Sequence, residues 1–461
     1  MSVAFMNTLG RVRRSGDDAA AHLVMRATFY ICCVLYFGAS FSIPPLIAMG
    51  STGVLAGGYI IFSKRATRLA FHCWPLLVMC AIALMSAAWS VDPSVTVRRS
   101  FQLLFGCLLG IAMVGRVGSA EAIKIIVRTM AFGCLLSVVW VVAFPDVAVH
   151  QATDQAQTVH AGLWRGILSH KVDLGIFAGL TLALLLFYGP KVSGSPMSYL
   201  LGLASSIACL AGSGSATGVV VAATLFFTFR LTYANANQPL KIRRKLTRTL
   251  VMFLVVWIAL TTSGLFDQMA SMLGRSSDLT GRATYWPYVM AFLNTGNWVL
   301  GYGYAAGFKF VARLIAEEAD LALGEAHNGY IEMLVAFGYT GGVVVIVLHL
   351  LMFWQAAQLQ INSPARAAKV AAFPIAIMTV LLITAYIESV ILAPAGIFAV
   401  LLPIVAAVRA EGLMAAKAER RRAALIAAVR RAQSPRVAAP PLVRIVHSRN
   451  SASVLAGADS A

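Results

Sequence analysis

Apolar runs alternate with short polar, mostly basic connectors along nearly the whole chain. They fall at about 27–43, 46–62, 71–89, 100–115, 123–144, 172–189, 197–211, 215–232, 247–264, 328–354, 370–392 and 395–410. A helix needs about 20 apolar residues to cross a bilayer core. The pattern therefore predicts an all-α, polytopic membrane protein with about 12 transmembrane helices. Pro44-Pro45 and Pro394 mark tight turns between the first two and the last two runs. Two polar segments, 145–171 and 265–327, are long enough to build a site, and the second is a large loop ending where His327-Asn328 opens an apolar helix. Within it, Phe308, Val311, Leu314, Ile315, Leu321 and Leu323 predict an amphipathic helix over 308–323 lying on the membrane surface.

Composition agrees: 59% of residues are hydrophobic, 12% are charged and mean hydropathy is +0.79. No ordinary soluble domain has these proportions. The seven cysteines (Cys32, Cys33, Cys73, Cys80, Cys107, Cys134 and Cys209) fall in apolar runs without metal-ligand spacing, which predicts small apolar packers. The first apolar run is one of many, so it reads as a retained anchor.

The net charge of +19 changes the picture through its placement. With the N-terminus in the cytoplasm, only Arg98, Arg99, Arg165, Lys171, Arg275, Arg282, Lys309 and Arg313 of the 37 Lys and Arg fall in outward segments. The positive-inside rule selects that orientation, with both termini cytoplasmic. The basic excess is then a topology signal and an attraction to anionic membrane lipid, with no nucleic acid as partner. The expected organisation is a cytoplasmic segment 1–26, a membrane domain 27–410 with outward loops 145–171 and 265–327, and a basic cytoplasmic tail 411–461. That tail starts as a basic helix carrying Leu413, Leu425, Ile426 and Val429, and turns Pro-, Ala- and Ser-rich after Ser434, a composition expected to be disordered.

The outward cations and the helix mouths carry the candidate chemistry. His327 sits at the start of a membrane helix, where free N–H groups and the helix dipole attract phosphate. A neutral His beside an anion site can act as a base at neutral pH. Asn328 and Glu332 share a helix face, and an intramembrane carboxylate is a functional candidate by default. Arg282, followed by Tyr285 and Trp286, pairs a phosphate-binding guanidinium with rings that can stack on sugar faces, although an interfacial aromatic belt has the same composition. Arg165, His170 and Lys171 repeat the theme before another helix, with interfacial anchoring as the plain alternative. Glu388 is a second such carboxylate with less context. His349 lies about 33 Å from His327 along the helix and belongs to the other side. Asp92 marks a structural turn. The spacing contains no metal motif and no outward acidic cluster, so no metal and no cofactor is expected.

His327-Asn328, nine residues, Gly338, two residues and Gly341 resemble the signature of the O-antigen ligase and polysaccharide polymerase superfamily, the Wzy_C group. Gly281-Arg282 with Trp286 resembles its second motif. Ser169-His170-Lys171-Val-Asp-Leu-Gly175 resembles a segment of exopolysaccharide polymerases of the ExoQ type. The likeness covers roughly 85–400. Ligases of the group carry a Ser-Arg pair where this chain reads Gly212-Ser-Gly-Ser-Ala-Thr-Gly218, which tilts the reading toward a polymerase.

The resemblance implies a metal-independent, inverting glycosyltransferase of the bacterial inner membrane. It would polymerise undecaprenyl-pyrophosphate-linked oligosaccharide units into exopolysaccharide at the periplasmic face, with a chain-length regulator as a candidate partner. Arg282, with Lys171 or Arg165, would hold the pyrophosphate, and His327 would take the acceptor proton. His170, Asn328, Glu332, Tyr285 and Trp286 would bind substrate. The alternatives are a ligase passing lipid-linked glycan to lipid A core or protein, and a lipid-linked oligosaccharide transporter. Paired broken helices in two related halves would mark the transporter, and the sequence has no clear sign of them.

Overall fold

A computed structural model describes residues 27, 45–154, 160–262, 282–319, 325–363 and 365–433. The described residues form helices with no β-strand; an isolated bridge joins Val149 to Trp164. The expected run 27–43 and the Pro-rich end of the tail lie outside them.

The helices used below are α1 (Pro45–Phe62), α2 (Lys64–His72), α3 (Trp74–Met85), α4 (Pro93–Val117), α5 (Ser119–Ala143) and α6 (Lys171–Tyr188). They continue as α7 (Pro196–Ser213), α8 (Ala216–Asn235), α9 (Leu240–Thr262), α10 (Arg282–Thr295), α11 (Gly307–Ala319), α12 (Gly329–Asn362), α13 (Ala372–Thr384) and α14 (Ile397–Gln433). Among the described residues seven helices are long and apolar enough to cross a membrane, or eight if the bent pair Lys64–His72 and Trp74–Ala88 makes one span. Among the described residues this count does not reach the twelve expected spans. Gly50–Phe62 and Ala368–Thr384 are shorter apolar helices. The run at 370–392 breaks early: α13 stops at Thr384, and 385–396 is an irregular strap.

Local sequence sets the boundaries. Asp92 caps α4 by accepting from Val95 N at 3.1 Å, and Pro93 follows in the first turn. That backbone hydrogen bond, first among several, lowers the Asp92 pKa. Ser195 and Ser215 cap α7 and α8 in the same way. Large apolar side chains such as Val142, Phe227 and Met252 are exposed, as a lipid-facing surface requires. Inside, α6 packs on α7 and α8. Gly175 and Gly179 meet Gly218 so closely that a Cβ on either α6 glycine would overlap α8 or its cap. The five described cysteines are buried and free.

The break in α12 is bridged by hydrogen bonds to a neighbouring segment. Gly338 (φ 64°, ψ −175°) interrupts the helix. Tyr339 N donates to Trp298 O at 2.8 Å and Thr340 N to Val299 O at 3.4 Å, rather than to the carbonyls one turn back. Those carbonyls, Val335 O and Ala336 O, accept instead from Tyr302 N (2.8 Å) and Gly303 N (2.9 Å). Segment 298–304 is thus spliced into the helix, and these two N–H groups and two carbonyls all find partners. A Cβ on Gly338 would overlap the Val299 carbonyl. Gly301-Tyr-Gly-Tyr304 supplies the splice.

The apolar face of α11 departs from expectation. Phe308, Val311, Ala312 and Ile315 pack with Tyr285, Val289, Ala326 and Val335 in a small second core. Protein covers this face, not a membrane surface; Leu321 and Leu323 lie outside the described residues. At the other end of α12, the fully buried Arg409 donates Nη2 to His72 O at 2.6 Å and Nη1 to Gln355. By compactness the chain divides into 1–416 and 417–461. In the second unit the described residues are helical, and those through Val429 are exposed.

Candidate active site

His327 lies immediately before α12, with φ 47°, in the left-handed region. Its Nδ1 is 3.1 Å from Oε2 of Glu388 on the strap. A carboxylate only accepts, so Nδ1 carries a hydrogen, and in the neutral imidazole Nε2 is the nitrogen with the lone pair. The Glu388 side chain is 8% exposed and that of His327 30%, so the carboxylate is sequestered while the imidazole remains accessible.

The helix mouth itself is filled. Gly329 N donates to Ala385 O (2.7 Å) and Glu388 O (3.2 Å), and Tyr330 N and Ile331 N donate to Asn328 Oδ1 (3.0 and 3.1 Å). Glu332 N bonds Asn328 O at 3.0 Å. The anion site expected from free N–H groups is therefore not available here: protein acceptors use the donors. Asn328, 4% exposed, is the N-cap.

The mouth of α6 is closed likewise. Lys171 N donates to His150 Nε2 and Val172 N to His170 Nδ1, each at 3.2 Å. His150, His160 and His170 stand edge to face with ring centroids 5.3–5.8 Å apart. Burial, then the charges of His150, His160, His327 and Lys171, lower the His170 pKa to about 4. Burial is also the main cause that lowers His150, followed by Arg165 and His160. His150 is thus a buried structural residue. Arg165 donates Nε to Val147 O at 2.7 Å and pairs with Asp154 at 3.4 Å; it lines a small cavity beside Leu168 and Ser169. Trp164 lies over Gly212, in the segment where ligases carry their Arg.

Tyr285 and Trp286 also have a structural partner. Tyr285 Oη donates to Ala326 O at 3.1 Å and Trp286 Nε1 donates to the same oxygen at 2.9 Å. Both hold the peptide that precedes His327. Arg282 is the first residue of α10; its side chain, like Gly281, lies outside the described residues.

Next to the His327–Glu388 pair is a cavity of about 480 Å³. Asp173, Glu325, Glu332 and Glu388 line it, with Arg99 and Lys309 as its cations and Phe177, Met333 and Phe398 among its apolar walls. Spacing predicts no acidic cluster on this side, yet folding gathers four carboxylates from separate segments. Asp173, Glu325, Arg99 and Lys309 are functional candidates that sequence reasoning passed over. The two cations were among the few expected on the outward side, and that was their only signal. Lys171 does not line this cavity. Among the described residues no cluster of His, Cys, Asp or Glu is arranged to hold a metal ion.

Apolar helices carrying an accessible imidazole and a polar cavity at one end define a multi-pass membrane protein with a polar site at a helix mouth. Residues 200–346 match the family model Wzy_C, described as O-Antigen ligase. That stretch, about a third of the chain, is similar to the O-antigen ligase superfamily, whose members handle lipid-linked oligosaccharides as ligases or polymerases. The matched residues include Arg282, His327, Gly338 and Gly341. No curated protein matches the chain.

Proposed function

We infer that the protein polymerises undecaprenyl-pyrophosphate-linked oligosaccharide units into exopolysaccharide at the periplasmic face of the inner membrane. The observation that carries this reading is the His327 Nδ1–Glu388 Oε2 pair beside the polar cavity. Glu388 fixes the tautomer in which the lone pair is on Nε2 and supports the imidazolium that forms, which is the division of labour between a base and its orienting carboxylate.

In the proposed step an acceptor sugar hydroxyl gives its proton to His327 Nε2 as its oxygen attacks the anomeric carbon of the donor. The bond from that carbon to the pyrophosphate oxygen breaks, and the electron pair leaves with the lipid pyrophosphate. Attack opposite the leaving group inverts the anomeric centre. The departing charge needs cations. Lys309 and Arg99 line the cavity, and the family resemblance adds Arg282. Lys171 is fixed through its backbone N–H to His150, outside the cavity lining, and Arg165 is already engaged with Asp154. Carboxylates such as Glu332 and Asp173 suit the hydroxyls of the acceptor.

The test is polymer length in the producing strain. His327→Ala and Arg282→Ala should each abolish long polymer while tagged protein stays in the membrane at the normal level. Wild-type polymer from either variant overturns the assignment. Polymer that is still made but left unattached when the gene is deleted supports a ligase instead.

A further inference from the structure

Far from His327, α9 carries a groove that the glycan chemistry does not use. Lys241, Arg244, Lys245 and Arg248 line it together with Thr249 and Met252, around about 400 Å³. These positions recur three and four apart, so the four cations form one stripe over two turns, about 10 Å long. All four are exposed, and among the described residues none pairs with a carboxylate. Four like charges at this spacing repel one another unless an anion lies between them.

The opposite face of α9 fixes the stripe's direction. Arg243 is turned inward and donates Nη1 to Gln360 O (3.2 Å) and Ser363 O (2.6 Å), and Nη2 to Gln238 O (3.3 Å). Thr247, one turn on, donates to Gln360 Oε1 at 3.3 Å. These bonds lock the rotation of α9 against the C-terminal end of α12. His327 precedes the other end of that helix, so the groove and the imidazole lie at opposite ends of a membrane-spanning element. Below the cations the same exposed surface becomes apolar through Met252, Phe253, Val255 and Val256. Cations that pass directly into an apolar wall match an amphiphile with an anionic head. A nucleic acid or a phosphopeptide would leave that wall unused.

We propose that this groove binds the phosphate headgroup of an anionic phospholipid, with an acyl chain lying along Met252, Val255 and Val256. Each Lys or Arg near an anionic lipid surface contributes to the attraction, which a zwitterionic lipid lacks.

The test is native mass spectrometry of the full-length protein equilibrated with phosphatidylglycerol or phosphatidylcholine. Wild type should retain phosphatidylglycerol at least about ten-fold more tightly, a preference that one or two of the four basic side chains would supply. K241Q/R244Q/K245Q/R248Q should retain both lipids equally. R244Q/R248Q should lose part of the preference, and it decides the matter if the quadruple variant does not fold. K241R/K245R should keep the preference. Millimolar inorganic phosphate should not displace the lipid. Equal retention of both lipids by wild type, a preference that survives in the folded Gln variants, or displacement by phosphate alone would overturn the proposal.

Discussion

Glu388 Oε2 lies 3.1 Å from His327 Nδ1 although 61 residues separate them in the chain. The contact exists because α13 ends at Thr384 and the strap returns across the mouth of α12. Glu388→Gln keeps the size of the side chain but weakens its hold on the imidazolium. It should lower kcat of glycosyl transfer by about 10²–10⁴-fold, with little change in KM. Turnover of purified protein with a lipid-linked substrate checks this; near-normal kcat would remove Glu388 from the mechanism.

Tyr285 and Trp286 both donate to Ala326 O. Tyr285→Phe or Trp286→Phe alone leaves that carbonyl one partner, and each should cost about 1 kcal/mol of stability. The double variant leaves it with neither indole nor phenol and should cost more than the sum. If these rings hold the peptide rather than stack on sugar, kcat falls while KM for the glycan stays constant. A rise in KM alone would restore the stacking role.

Asn328→Ala removes the acceptor of Tyr330 N and Ile331 N. The loss should be about 1 kcal/mol, and Asn328→Asp or Asn328→Ser should recover most of it. Thermal unfolding in detergent, read by intrinsic fluorescence, measures the series.

Acid should loosen the entrance of α6. His170 Nδ1 must be unprotonated to accept from Val172 N, and its pKa falls from 6.5 to about 4 in the folded chain. Between these values the unfolded chain binds the extra proton, so His170 contributes stability fully above pH 6.5 and loses it as pH drops toward 4. His170→Asn, which keeps a capping side chain, should flatten that part of the stability profile. An unchanged profile would show that other groups set the acid sensitivity.

Gly338→Ala should prevent accumulation of folded protein. A Cβ at φ 64° and ψ −175° is strained in itself and overlaps the Val299 carbonyl. Gly58→Ala on α1, where a Cβ meets nothing within 4 Å, serves as the control. Equal membrane levels of the two variants would refute this.

The helical elements were legible because apolar runs near membrane-spanning length have few alternatives. His327 was legible because it stands where a polar loop meets such a run. Glu388 was legible only as an intramembrane carboxylate; its place beside His327 was not, since Val390, Ile391 and Leu392 continue an apolar run that composition cannot tell from a helix. Only long-range bonds show the strap: Gly329 N to Ala385 O and Tyr304 Oη to Leu392 O. The phosphate site expected at two helix mouths failed for a related reason. Sequence reveals that terminal N–H groups need acceptors, but not that Asn328, His150 and His170 would supply them.

The splice at Gly338 bears on how a long product could leave. Main-chain bonds on both sides of the break weld segment 298–304 to α12, so that flank acts as a fixed rail. The strap 385–396 carries irregular backbone with Leu392 at φ 50° and Gly396 at φ 88°. On the proposed polymerase reading a long product needs a wall that yields, and moving the strap would break the bonds from Gly329 N and Tyr304 Oη together with the contact that holds the carboxylate behind the base. Each opening for the polymer would then disarm the imidazole, so that extension and release alternate.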